Sequence, residues 1–117
     1  MSYDCCLLDP VSKEVIKVDN KHFMQGATYQ LGGSDELSLS VTYNYSELYY
    51  ALAEDGIRTI DGMTGLESIP VLTKIIDSLK DNVSDNYYKA TEGNAKRAAV
   101  QLRTMAQMRP DGIWEII

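Results

Sequence analysis

The sequence predicts an α+β fold: a small antiparallel sheet, built from an N-terminal hairpin and central strands, packed against two to three helices. Three observations predict it. Residues 37–43 alternate apolar and polar side chains, the pattern of a strand with one buried face. Residues 67–80 and 92–108 carry apolar side chains at helical spacing. Strand signals come first along the chain and helical signals second, the order expected of a sheet with helices segregated to one face. The 117 residues read as one domain, 1–117, with no repeat, low-complexity tract or linker. A chain of this length buries roughly two-thirds of its unfolded surface. Its 44% hydrophobic content is that of a globular protein.

Each element has a local cause. Residues 3–8 and 14–18 read as two strands, joined by the turn-forming run Asp9-Pro10-Val11-Ser12-Lys13. Residues 19–26 read as loop, and 27–31 as a short strand ended by Gly32-Gly33. In 37–43, Leu37, Leu39, Val41 and Tyr43 alternate with Ser38, Ser40 and Thr42. Ser46 is placed to cap a helix running to about Glu54, with Leu48, Tyr49 and Leu52 inward and Asp55-Gly56 as its stop. Residues 57–60 look β-like, and 61–65 form a turn-rich loop. The next helix is expected over 67–80, with Ile69, Leu72, Ile75, Ile76 and Leu79 on one face and Pro70 in its first turn. Residues 81–90 form a polar, partly helical connector. The last helix is expected over 92–108, burying Ala95, Ala98, Leu102, Met105 and Ala106 and stopped by Pro110-Asp111-Gly112.

Composition excludes several classes. No apolar run is long enough to span a membrane, and the N-terminus has neither a basic region nor a signal-peptide apolar core, so a cytosolic chain is expected. Asn44-Tyr-Ser and Asn82-Val-Ser match the glycosylation pattern, which an intracellular chain would not use. The two cysteines, Cys5 and Cys6, are adjacent and point to opposite faces of a strand, so they do not bridge each other. Two cysteines and the single His22 do not make a familiar zinc site, and no EF-hand, His-Glu-x-x-His or P-loop pattern occurs; no metal or cofactor is expected. His22, in a predicted loop, reads as solvent-facing or locally bonded. No catalytic constellation stands out, and the chain is read as a binding protein rather than an enzyme. Net charge is −6, which disfavours generic nucleic-acid binding. The charge is uneven: residues 34–67 carry seven acids against Arg58 alone, and 92–109 carry four cations against Glu92 alone. Either this is ordinary solvated surface, or it is a cationic pocket in an acidic shell, suited to a small anion.

The candidate ligand site lies at residues 91–97. Thr91 caps a helix whose first turn holds Glu92, Gly93 and Asn94, followed by Lys96 and Arg97. First-turn N–H groups lack helical partners and the dipole there is positive, so such an end can hold an anion that the two cations neutralise. The plainer reading is a helix cap with surface cations. Gly93 costs helix stability, and is explained if a ligand or another stretch of backbone approaches closely there. Lys96 and Arg103, seven apart, share a helix face and can address one partner. Arg58 is a third candidate for phosphate. Among eight tyrosines, Tyr43, Tyr45, Tyr49 and Tyr50 cluster at a strand-to-helix junction, either as core and rim packing or as a stacking wall. Tyr43, Tyr45 and Trp114 are the candidate stacking residues, Trp114 being alternatively a packing anchor for the tail. Asn44 is the candidate reader of a base or ribose edge.

Several blocks together resemble a family of small uncharacterised proteins encoded by phages and prophages. They are Tyr3-Asp4 with Asp9-Pro10, residues 41–46, residues 56–70, residues 90–96, and Arg109-Pro-Asp-Gly-Ile-Trp114, spanning nearly the whole chain. The chain ends in Trp-Glu-Ile-Ile where similar proteins end in Trp-Asp-Gly-Asp. The resemblance implies an accessory protein acting in the cytoplasm of an infected bacterium, and small acidic phage proteins often counter host defence. Two mechanisms are expected from that context. The leading one is sequestration of a small anionic nucleotide, an immune signal such as a cyclic dinucleotide or a cyclic ADP-ribose derivative, by a homo-oligomer. The alternative is capture of a host defence protein by the acidic segment 34–67, in the manner of anti-CRISPR proteins. A structural or housekeeping phage protein is a third possibility.

Overall fold

The structure is a computed structural model describing residues 1–25 and 33–117. It is an α+β fold: the described residues form five strands in two small antiparallel sheets, with three helices. The strands are β1 (Ser2–Leu8), β2 (Lys17–His22), β3 (Ser34–Glu36), β4 (Ser38–Thr42) and β5 (Ile113–Ile116); the helices are α1 (Ser46–Tyr50), α2 (Gly65–Ser78) and α3 (Glu92–Met108). The strand expected over 27–31 lies outside the described residues.

The main sheet has the order β4-β1-β5. Tyr3 faces Val41 and Cys5 faces both Leu39 and Ile116, so the odd positions of β1 share one face with Leu39, Val41 and Ile116. That face is the core: Tyr3, Cys5, Leu7, Leu39, Val41, Trp114 and Ile116 are buried. The opposite face carries Asp4, Cys6, Ser38, Ser40 and Glu115, as the alternation in 37–43 requires. α2 and α3 pack on each other and on the core face, with Leu72, Ile75 and Ile76 from one helix and Ala95, Ala98, Leu102, Met105 and Ala106 from the other buried.

Several boundaries differ from those expected. The turn at 9–13 forms, with Asp9 Oδ1 accepting from Val11 N and Ser12 N. Beyond Ile16, however, the chain leaves β1: β2 extends to His22, through residues read as loop, and pairs with β3. His22 is locally bonded, to the Glu36 carbonyl and the Met24 amide. Tyr43 leaves the strand and opens a 3-10 turn, Tyr43–Tyr45, capped by Thr42 rather than Ser46. α1 then ends at Tyr50, short of Glu54. Residues 57–60 are not β: Gly56–Ile60 is a 3-10 turn. Gly56 takes φ +58°, and a three-residue turn sends both Ile57 and Ile60 into the core.

α2 begins two residues before the expected Glu67. Thr64 accepts from Glu67 N at 3.1 Å while Glu67 Oε1 accepts from Thr64 N at 3.0 Å, a reciprocal cap. This moves Pro70 from the first turn into the helix interior, where it leaves the carbonyl of exposed Leu66 to water. Gly65 allows this start: a Cβ there would stand 2.7 Å from the Arg109 carbonyl and 3.0 Å from that of Ala106, so α2 begins against the end of α3. Residues 81–90, expected to be partly helical, contain only turns and bends. Among the described residues, no helix is long and apolar enough to cross a membrane.

Candidate functional site

The first turn of α3 is occupied by the protein's own chain. Thr91 caps the helix as expected, its hydroxyl accepting from Asn94 N at 3.1 Å, with Glu92 next to it half-buried. Asn94 itself is 1% exposed. Its Oδ1 accepts from Ser84 N at 3.0 Å and from Arg97 Nη2 at 3.2 Å. Its Nδ2 donates to the carbonyls of Asn86 (3.1 Å) and Lys89 (2.9 Å). Both donor hydrogens and the amide oxygen are therefore committed to holding the 81–90 connector. Asn94 is a structural hub and not a ligand contact.

Gly93 has the same cause. A Cβ on it would fall 2.5 Å from Val83 N and 2.6 Å from Asn82 C, closer than any side chain tolerates. Of the two explanations for a glycine in this turn, the approaching group is backbone, that of the connector. The connector thus packs directly against the first turn of the helix.

The connector is gripped from its other side by the junction that follows β4. The Tyr45 hydroxyl donates to the Tyr87 carbonyl, and Asn44 Nδ2 donates to the Tyr88 carbonyl at 2.8 Å. Arg97 lies over the Tyr87 ring, 3.7 Å from its centroid. Burial pushes the Tyr45 phenol up, while the Arg97 charge opposes that shift. The structure therefore brings Asn44, Tyr45, Thr91, Asn94 and Arg97 together, but around a loop of the same chain. Tyr45, 1% exposed, cannot offer a ring face to a ligand.

Other candidates lie apart from this cluster. Trp114 is 1% exposed on the core face, its Nε1 donating to Ser68 Oγ on α2 at 2.8 Å. It anchors the tail and does not stack on a ligand. Arg58 sits 5.1 Å from the centroid of the Tyr3 ring, which meets the half-exposed Tyr43 edge-on at 4.6 Å. Arg103 donates to Thr73 Oγ1 on α2, so it does not converge with Lys96. Arg109 pairs with Asp111 at 2.9 Å and with Asp9 at 3.5 Å. Among the described residues, the four cations of 92–109 thus have four separate sets of partners and do not all converge on one pocket.

What remains is an open groove of about 400 Å³ beside the first turns of α3, lined by Asp81, Val83, Gly93, Lys96, Arg97, Val100 and Gln101. Two of the sequence-predicted residues, Lys96 and Arg97, line it. Lys96 Nζ stands 2.7 Å from Asp81 Oδ1. At the far end Gln101 is clamped to Gln25, donating to its carbonyl at 2.7 Å and accepting from its amide at 2.8 Å. Val100 and Gln101 were readable from sequence as the continuation of the Gly93–Lys96–Arg97 helix face, spaced by three and four. Asp81 and Val83 carried no such signal, because the connector is brought to the groove by contacts between distant segments, those of Asn94 among them. Among the described residues, no three histidine, cysteine, aspartate or glutamate side chains cluster as metal ligands.

No protein-family model, curated protein or solved structure matches the chain.

Proposed function

We propose that this protein is a non-catalytic binding protein that sequesters a small anionic nucleotide in the α3 groove, and that it does so in the cytoplasm of an infected bacterium, where such capture silences a defence signal. The observation that carries the reading is the placement of Lys96 and Arg97 on a groove whose walls include Val83 and Val100. A phosphate meets the two cations while the body of the ligand covers apolar surface. The volume is near the lower end for small-molecule clefts, roughly 300–1,000 Å³, which suits one nucleotide unit more than an extended polymer. The cellular context rests on the family resemblance alone. The phosphate contact is assigned to the two side chains and not to the helix N-terminus, against which the connector packs.

Native mass spectrometry of the protein with a panel of cyclic and linear nucleotides tests this. The expected result is a stoichiometric adduct of intact ligand mass, and the same spectrum counts subunits. Lys96→Ala should remove the adduct and leave the melting temperature of the free protein nearly unchanged, because among the described residues Lys96 is paired only to a largely exposed Asp81. Absence of any adduct across the panel overturns the reading. The protein-capture alternative then leads, favoured by exposed Tyr50 beside exposed Glu47, Glu54 and Asp55. Reversal of those three charges would abolish capture of a defence protein and spare any nucleotide adduct.

A further inference from the structure

Lys96 already holds an anion. Asp81 Oδ1 is 2.7 Å from its ammonium, and the two side chains differ sharply in exposure: Asp81 is 87% exposed and Lys96 25%. The carboxylate is therefore the solvent-exposed partner of the pair, and it occupies the ammonium that an incoming phosphate needs. Asp81 is held in place by its backbone. Its carbonyl accepts from Val83 N at 2.8 Å, and Val83 passes against Gly93, so the connector's backbone brings residue 81 to the groove while its side chain stays free to turn.

We infer that Asp81 is a built-in competitor for the groove: an anionic ligand binds by displacing its carboxylate from Lys96, and Asp81 thereby sets the affinity threshold and the charge preference of the site. This rests on the groove being an anion site. A phosphate that kept the Asp81–Lys96 pair intact would sit beside a like charge with its own counter-charge already neutralised. A dianionic phosphate replaces the carboxylate more readily than a monoanionic ligand, because it regains more from Lys96 and Arg97 together than the pair gives up. The exchange is easy, since a solvent-exposed ion pair contributes little and no other side-chain partner holds Asp81 among the described residues.

The test is calorimetric titration of the wild type, Asp81→Asn and Lys96→Ala with adenosine monophosphate. Asparagine keeps the shape of Asp81 and removes its charge, and at an exposed position it leaves folding intact. The expected result is a roughly two- to five-fold tighter Kd for Asp81→Asn, the range an exposed ion pair can supply, with Lys96→Ala losing binding. Detectable binding by Asp81→Asn alone supports the inference equally. Binding by the wild type with an unchanged or weaker Kd in Asp81→Asn overturns the inference and leaves the groove reading standing. No binding by either protein overturns both.

Discussion

Replacing Asn94 with alanine should loosen the whole connector at a cost that can be worked out. The substitution removes the acceptor for Ser84 N and the donors to Asn86 O and Lys89 O; it also removes the bond from Arg97 Nη2, a part-exposed guanidinium that regains water. At about 1 kcal/mol each, three such bonds amount to about 3 kcal/mol. Two corrections reduce this. Alanine is the better helix former by roughly 0.6 kcal/mol. Asn86 and Lys89 are exposed residues whose freed carbonyls regain water. The net loss is about 2 kcal/mol, which for a domain of this size lowers the melting temperature by roughly 6–10 °C. Urea denaturation should show the same loss with an unchanged slope. Trypsin should cut faster after Lys89 in the folded variant, because the turn around it has lost its anchor. A variant within about 0.5 kcal/mol of the wild type, with Lys89 still protected, would refute the assignment of Asn94 as the connector's hub.

Three further outcomes are expected from contacts in the helix end, the core and β1. Gly93→Ala should destabilise by about 1–2 kcal/mol, since the clash with Val83 N and Asn82 C outweighs the gain in helix propensity; a melting temperature above the wild type's would show that the connector does not lie there. Trp114→Phe should cost about 2 kcal/mol in urea titrations, through the lost bond to Ser68 and the smaller ring, while leaving nucleotide affinity unchanged; a change in affinity with no change in stability would return Trp114 to the ligand site. Stability should fall as pH rises above 9.0, the ordinary thiol value. Burial, then the neighbouring Cys6 and Asp4, push the Cys5 thiol up, so only the unfolded chain loses that proton between pH 9 and 10. Stability is full below that window, declines within it by at most about 1.4 kcal/mol per pH unit, and Cys5→Ala should flatten the decline.

The sequence was informative where structure is decided locally. α3 carries its cap at Thr91, its stripe at Ala95, Ala98 and Leu102, and its stop at Pro110, all within reach of one another. The alternation around Leu39 and Val41 gave the buried face of β4. Residues 57–60 misled because Ile57, Thr59 and Ile60 are β-branched and so favour a strand, whereas isoleucines three apart share a face only in a 3-10 turn, which Gly56 initiates through a backbone angle. β2 was missed because Asp19, Asn20 and Lys21 are exposed, so pairing with β3 and not burial makes it a strand. In the candidate site, the sequence located the first turn of α3 and the groove's cations, Lys96 and Arg97. It could not show that Asn94, Tyr45 and Asn44 spend their polar atoms on residues 84–89, because those bonds join segments that the pattern of neither predicts.

The neighbours of β1 have a consequence for how the protein is made. β1 is the central strand, yet one flank is supplied by β5, so that Cys5 faces Ile116 and Asp4 exchanges backbone hydrogen bonds with Ile117. During synthesis β1 emerges early and can recruit β4, but its other edge stays bare until residues 113–117 leave the ribosome. Closure of the sheet then joins parts of the chain more than 100 residues apart, with the slow kinetics that such long-range pairing imposes. A nascent chain stalled before Ile113 would display an unpaired strand beside an unfilled Trp114 site, a form well suited to recognition by chaperones and proteases.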